Sequence, residues 1–147
     1  MRGLHDLRDG FLTDRPWLSN RQVLGFMRMK LPEAFLQLSD LREFQPGETI
    51  FDVGQPGDEM FVVQEGEVDI VLDGTLLETL GPERFFGELA LIDDAPRSAT
   101  AVARTRCTLA SLNQRRFLFL VDEFPFFAVQ VMKGMADRLR RGATALR

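Results

Sequence analysis

The sequence has few of the residues from which most catalytic and metal sites are built. It contains a single cysteine, Cys107, a single histidine, His5, and no tyrosine. One cysteine excludes an internal disulfide framework and fits a reducing compartment. One histidine excludes a metal site made of several histidines of this chain, and a Ser-His-Asp triad in the body of the domain. These absences favour a binding protein over an enzyme.

Long apolar runs and a secretory leader are also lacking. No run approaches the roughly 20 residues that a helix needs to cross a bilayer. The first ten residues, MRGLHDLRDG, are charged and contain no apolar stretch typical of a signal peptide. We therefore expect a cytoplasmic protein with no membrane partner.

The charge balance argues against a dedicated nucleic-acid binder. The chain has 18 lysines and arginines against 22 aspartates and glutamates, a net charge of −4. Nucleic-acid binding requires a basic face opposite the phosphates. Of the 147 residues, 45% are hydrophobic, which suits one folded domain.

The pattern along the chain divides it into three parts. Residues 1–31 are predicted to be an arm followed by a helix, residues 32–141 the domain, and residues 142–147 a tail. A second short helix is predicted over Glu33–Asp40, where apolar residues recur at helical spacing.

Short apolar runs separated by glycine and proline fill the middle of the chain. They predict strands at Thr49–Val53, Met60–Gln64, Val68–Leu72, Thr75–Leu80, Ala99–Ala103 and Cys107–Leu112. Asp73-Gly74 is a strong hairpin signal between two of them. Many short antiparallel strands at this spacing indicate a barrel or jelly roll.

Helical spacing returns after Asn113. It predicts a short helix over Arg115–Val121 and a longer one over Pro125–Arg141. The longer helix is predicted to pack, on the roll or on a second chain, through an apolar stripe formed by Phe126, Val129, Met132, Met135 and Leu139. The six residues after Arg141 are too few for a helix-turn-helix, so we expect no nucleic-acid binding by this chain alone.

Residues 85–100 interrupt the strand pattern with features suited to an anion. Gly87 permits a close backbone approach. Glu88–Ile92 is predicted to form a short helix whose first amides point outward. Arg97 offers a fork of donors that matches a phosphate, and Ser98 adds a hydroxyl and an amide. Glu88 can accept a hydrogen bond from a sugar hydroxyl.

The run FGELAL, followed after four residues by PRSAT, closely resembles the phosphate-binding cassette of the cyclic nucleotide-binding domain family. The resemblance covers roughly residues 33–141. It implies a mainly β fold, a double-stranded β-helix (jelly roll) with N-terminal helices and C-terminal lid helices. It also implies a bound cyclic AMP or cyclic GMP, with no cofactor and no metal.

The resemblance further implies roles for individual residues. Arg97 would neutralise the cyclic phosphate and Glu88 would bind the ribose 2′-hydroxyl. The remaining expected ligand-binding residues are Gly87, Leu89, Ala90, Ser98, Val71 and Arg138. Among these, the amides of Ala90 and Ser98 would contact phosphate oxygens, and Val71 would line the purine pocket. Arg138, late in the last helix, would stack on or cap the base as that helix swings over it.

Each of these charged residues also has a simpler interpretation. Arg97 would form a surface salt bridge to Asp93 or Asp94. Glu88 would be a favourable charge at a helix N-terminus, and Arg138 a basic residue at a helix C-terminus. These alternatives make different predictions about burial and contacts.

The sequence thus predicts a non-enzymatic cyclic nucleotide receptor that signals through rearrangement of its C-terminal helix. Cyclic AMP is favoured over cyclic GMP, and an effector protein or a second copy of the chain is the expected partner. One alternative is the sensor domain of a truncated transcription factor of the catabolite-activator type. A cupin-like jelly-roll enzyme is disfavoured because such enzymes need several metal ligands, usually histidines.

Overall fold

The structure, a computed structural model, describes Leu36 and residues 40–145, with side chains to residue 142. The predictions for residues 1–31 lie outside this range. So does the predicted helix over Glu33–Asp40, except for Leu36, which is helical, and Asp40, which begins a strand.

The described part of the chain folds into strands followed by helices. The strands are β1 (Asp40–Phe44), β2 (Thr49–Phe51), β3 (Glu59–Glu65), β4 (Val68–Leu72), β5 (Thr75–Leu80), β6 (Phe85–Phe86), β7 (Thr100–Ala103) and β8 (Cys107–Asn113). The helices are α1 (Leu89–Ile92), α2 (Gln114–Glu123) and α3 (Pro125–Ala145).

The strands form two four-stranded antiparallel sheets. One has the order β1-β8-β3-β6 and the other the order β2-β7-β4-β5. The expected jelly roll with flanking helices is confirmed. Strands β4 and β5 have the predicted bounds and join through Asp73-Gly74, where both residues have positive φ, as a two-residue hairpin turn requires.

The core has two layers because the central strand β3 is buried on both faces. Phe61 and Val63 point between the two sheets, where they pack with residues of β4, β7 and β8. Met60 and Val62 point to the opposite face, which α2 and α3 cover with Leu120, Phe127 and Val131. The helices therefore lie on the outside of the sheet that carries β6, next to the start of residues 85–100, the segment with features suited to an anion.

Strands β1 and β6 were not predicted. Strand β1 has the sequence DLREF, in which only Phe44 is buried, and it pairs with β8 at a sheet edge. Strand β6 has only two residues. Neither offers the alternating pattern by which a half-buried strand is recognised.

The predicted apolar stripe of α3 faces the roll only in part, and the helix is longer than predicted. Met135 packs against the core, but Met132 is 58% exposed and Leu139 72% exposed, and the helix continues to Ala145. The buried hydrophobic residues of the helix are Phe127 and Val131. At Gly134 an added Cβ would lie 2.3 Å from Phe85 Cζ, so the helix approaches the sheet closely on that side.

Candidate functional site

Arg97 lies just before β7 and is buried, with 7% of its surface exposed. Its backbone is tied to the turn that joins β2 and β3. Its N–H donates to Gln55 O at 2.8 Å, and its carbonyl accepts from Gly54 N at 2.7 Å. A buried arginine held at both backbone groups is not a surface salt bridge. Asp93, its suggested partner, accepts instead from Ala95 N at 3.0 Å.

The Arg97 guanidinium is held by backbone carbonyls. Nη1 donates to Gly87 O at 3.0 Å and Nη2 donates to Glu59 O at 2.8 Å. Nε is buried and has no hydrogen-bond partner among the described residues. A buried N–H of a charged group without a partner is costly, and an anion near the guanidinium would offset part of that cost.

Burial also lowers the pKa of Arg97 from its ordinary value, and the nearby carboxylates of Glu59, Asp58 and Glu88 oppose that effect. The main cause is loss of water around the cation. An anion bound at Arg97 would compensate for that loss directly, because a charge-assisted hydrogen bond is strongest away from water.

Gly87 and Glu88 connect this arginine to the short helix α1. Gly87 has φ +79°, and an added Cβ there would lie 2.7 Å from Arg97 Nη1. Glycine is therefore required both by the backbone conformation and by the space. Glu88 follows at the N-cap of α1, makes no side-chain capping bond, and is 5% exposed. Because α1 is a single turn of four residues, its dipole contributes little to anion binding.

The buried partner of Glu88 comes from the last helix. Arg138 Nη1 lies 2.8 Å from Glu88 Oε1, and Arg138 Nη2 donates to Phe85 O. The Arg138 guanidinium lies over the Phe85 ring, with Cζ 4.8 Å from the ring centroid. Arg138 is therefore not merely a basic residue at a helix end. It joins α3 to Glu88, the residue that the sequence analysis expects to bind a sugar hydroxyl.

Glu78 of β5 is a second carboxylate shared by arginines. It lies 3.2 Å from Arg138 Nε, 3.1 Å from Arg141 Nη2 and 3.9 Å from Arg84 Nη2. Burial lowers the pKa of Arg84, and Glu78 opposes that shift. The last helix is thus fixed to the β-roll by charge as well as by apolar packing.

The other predicted residues lie around this centre. Ala90 is buried in α1, whereas Leu89 is 39% exposed. Ser98 is exposed next to Arg97. Val71 is half-buried on β4 and pairs in register with Thr100 of β7, three residues after Arg97. Arg97 therefore contacts Gly87 directly, and Glu88 is the next residue along the chain. The other predicted site residues lie on elements around this centre.

Sequence reasoning gives no functional role to three residues of this region: Phe51, Gly57 and Glu78. Gly57 lies in the segment GQPGD, whose glycines and proline are typical of a structural turn. Phe51 and Glu78 carried no signal, because an apolar or charged strand residue has many ordinary roles.

Two other classes of site are absent from the described residues. In residues 40–145, no group of three or more histidine, cysteine, aspartate or glutamate side chains is placed to hold a metal ion. None of the helices in that range is both long and apolar enough to span a membrane.

The sequence is similar to those of several known proteins. The sequence model of the cyclic nucleotide-binding domain family matches residues 41–124. A cyclic nucleotide-gated potassium channel of Mesorhizobium japonicum is 41% identical over 104 residues, 71% of this chain and 28% of the channel. A cAMP-dependent protein kinase regulatory subunit of Yarrowia lipolytica is 35% identical over 120 residues, 78% of this chain and 30% of the subunit.

The fold comparison agrees with the sequence comparison. The crystal structure of the Thermus thermophilus catabolite activator protein superposes with a TM-score of 0.68 and 30% identity, covering 88% of this chain and 59% of that one. The chain spans less than a third of the length of the two curated relatives named above, at 28% and 30%.

Proposed function

The chain belongs to the cyclic nucleotide-binding domain family, and from this premise we propose that it is a non-enzymatic receptor for a cyclic nucleotide, cyclic AMP in preference to cyclic GMP. The observation that carries the proposal is Arg97. Its guanidinium is buried, is held by two carbonyls, and keeps an unpartnered Nε–H. The cyclic phosphate of a nucleotide is an anion of the size and charge that such a group accepts.

The remaining roles follow from position around Arg97. Glu88 accepts a hydrogen bond from the ribose 2′-hydroxyl, because it is a buried carboxylate one residue beyond Gly87, whose carbonyl Arg97 contacts. The amides of Ala90 and Ser98 donate to phosphate oxygens. Gly87 and Leu89 shape the approach, and Val71 borders the base.

The preference for cyclic AMP rests on the relatives. The Yarrowia lipolytica protein is named for its dependence on cAMP, and it is similar over most of this chain. The exposed hydroxyl of Ser98 beside Arg97 leaves a route for cyclic GMP as well. Both nucleotides therefore belong in every binding experiment.

Helix α3 is the element through which binding is read out. A ligand changes a conformation only by contacting two states differently. Glu88, the proposed ribose acceptor, is also the partner of Arg138 at 2.8 Å, so a ribose hydroxyl that donates to Glu88 adds a contact to the carboxylate that holds α3. Amides of residues 125–141 should exchange more slowly with the nucleotide bound. Equal exchange in both states, with protection only around residues 85–100, would contradict this readout.

One alternative within the same family is favoured by a specific observation. The similarity to the Thermus thermophilus protein covers 88% of this chain but only 59% of that one. We therefore retain as a second proposal that this chain is the sensor part of a catabolite-activator-type transcription factor. The length of the full open reading frame distinguishes the two.

A thermal-shift experiment tests the receptor proposal. A dissociation constant of about 1 µM and a free nucleotide concentration of about 1 mM stabilise the folded state by about 4 kcal/mol. For a chain of this size that raises Tm by about 10 °C. Adenosine 5′-monophosphate, which lacks the cyclic phosphate, is the ligand control, and Arg104→Ala, with a 52% exposed side chain, is the variant control. No shift with either cyclic nucleotide would overturn the proposal.

A further inference from the structure

The guanidinium of Arg97 is confined by more than its hydrogen bonds. Cζ lies over the Phe51 ring, 4.1 Å from its centroid. On Gly57, an added Cβ would lie 2.3 Å from Arg97 Nε, 2.4 Å from Cζ and 2.7 Å from Nη2. The Phe51 ring and the backbones of Gly57 and Gly87 therefore leave one narrow place for the guanidinium. We call the contacts of Phe51, Gly57 and Gly87 with this group the guanidinium slot.

The aromatic side of the slot is itself fixed by the core of the roll. Phe51 ends β2, and its ring centroid lies 6.1 Å from that of Phe61 and 5.8 Å from that of Phe86. Both of those rings are buried between the sheets. The position of the Phe51 face is therefore set by packing that does not involve a ligand.

The glycine side of the slot acts through space rather than through backbone freedom. Gly57 does not have a positive φ, so an alanine there is compatible with the backbone. The atoms that its Cβ would meet belong to the end of the Arg97 side chain. Alanine at position 57 therefore moves the guanidinium and spares the fold.

The slot also fixes the direction of the guanidinium donors. Nη1 and Nη2 are directed at the carbonyls of Gly87 and Glu59, while Nε keeps no protein partner. A flexible arginine loses conformational entropy when it binds an anion. An arginine that the folded protein already holds in place has lost that entropy before binding, so binding costs less.

We infer that Phe51 and Gly57 are positioning residues for Arg97, which hold its guanidinium in the one place from which it faces an anionic ligand. The inference rests on the proposed function of Arg97. It assigns to Phe51 and Gly57 an effect on nucleotide affinity although neither residue is expected to contact the nucleotide.

Two matched pairs of variants test this inference by calorimetric titration with cyclic AMP and cyclic GMP. Gly57→Ala is compared with Gly81→Ala, because Gly81 also lacks a positive φ and nothing lies within 4 Å of its added Cβ. Phe51→Leu is compared with Phe44→Leu, because Phe44 packs in the same core cluster without contacting Arg97. We expect Phe51→Leu to weaken binding by about tenfold or more, as loss of a desolvated cation–π contact does. We expect Gly57→Ala to weaken binding by a similar factor, because its Cβ displaces the guanidinium. The two controls should bind like the wild type.

The nuclear magnetic resonance signal of the Arg97 Nε–H provides a readout that a merely structural role would not move. In the free wild-type protein, the Phe51 ring current should displace this resonance, and the displacement should persist in the Phe44→Leu variant. It should be lost in Phe51→Leu, and it should change in Gly57→Ala but not in Gly81→Ala.

The outcomes separate the inference from the function on which it rests. If the wild type binds and the slot variants bind equally well, the inference is wrong and the receptor proposal stands. If the wild type binds neither nucleotide, the receptor proposal fails, and the claim that the slot positions Arg97 for a ligand fails with it. An Arg97 resonance unchanged by both slot variants would show that the slot does not hold the guanidinium.

Discussion

Replacing Arg138 with methionine tests the connection between the last helix and the site. The arginine is 20% exposed at its side chain, whereas its partner Glu88 is only 6% exposed. Methionine keeps an unbranched stem of similar reach but removes the charge. The variant therefore leaves the Glu88 carboxylate buried without its ion-pair partner.

The size of the effect follows from that burial. Breaking a fully buried ion pair by removing one partner costs about 3–5 kcal/mol. The partial exposure of Arg138 reduces this, so we expect a loss of about 2–3 kcal/mol in the free energy of unfolding. That loss lowers Tm by about 5–10 °C for a chain of this size.

Arg141→Met is the matched control on the same helix. Arg141 pairs with Glu78 and Asp137, but its side chain is 49% exposed. Exposed pairs contribute about 1 kcal/mol or less, so this variant should lose correspondingly little. Urea unfolding of both variants gives the two free energies, and an unchanged slope with urea shows that the folded and unfolded states remain comparable.

A double-mutant cycle isolates the pair itself. Glu88→Gln and Arg138→Met, singly and together, should show a coupling of about 1–2 kcal/mol, the range found for contacting side chains. A coupling below about 0.5 kcal/mol, with Arg138→Met no worse than Arg141→Met, would refute the view that this pair fixes α3 to the site.

Three further predictions concern the site and its surroundings. Measured by calorimetry, Arg97→Ala should weaken cyclic nucleotide binding by about 2–4 kcal/mol with the fold intact, and Arg97→Lys should recover only part of that loss. Glu88→Gln should weaken binding by about 1–2 kcal/mol. A larger loss for Glu88→Gln than for Arg97→Ala would contradict the assigned roles. Gly134→Ala should lower the free energy of unfolding by about 1–3 kcal/mol, because its Cβ would overlap the buried ring of Phe85, and unchanged urea unfolding would show that the helix does not pack so closely. Cys107 should resist thiol reagents at neutral pH until the protein unfolds, since burial raises the pKa of its thiol, and rapid labelling of the native protein would disprove this.

The strands that were predicted are those whose own residues carry the pattern. Strands β4 and β5 flank the turn signal Asp73-Gly74 and have the predicted bounds. Strand β1 could not be recognised, because four of its five residues are exposed and only its pairing with β8 makes it a strand. The close approach of α3 to the sheet involves Gly134 and Phe85, which lie far apart in the sequence.

The site, too, has local features that its own residues indicate and long-range contacts that they do not. The local motif around Arg97 and Glu88 could be read from adjacent residues, and the structure places both in buried positions. The contact of Glu88 with Arg138 spans 50 residues, and nothing in the local sequence indicates that the two charges meet. The contact of Arg97 with Phe51 is equally non-local, because it depends on how β2 joins the second sheet.

Isothermal titration calorimetry of the wild-type chain with cyclic AMP and with cyclic GMP tests the central claim most directly. The account predicts saturable binding of one nucleotide per chain with a binding free energy of about −8 kcal/mol or more favourable, corresponding to micromolar affinity or tighter. It also predicts that Arg97→Ala abolishes most of that binding while Arg104→Ala does not. Absence of heat with either nucleotide at millimolar concentration, or equal binding by the Arg97→Ala variant, would contradict it.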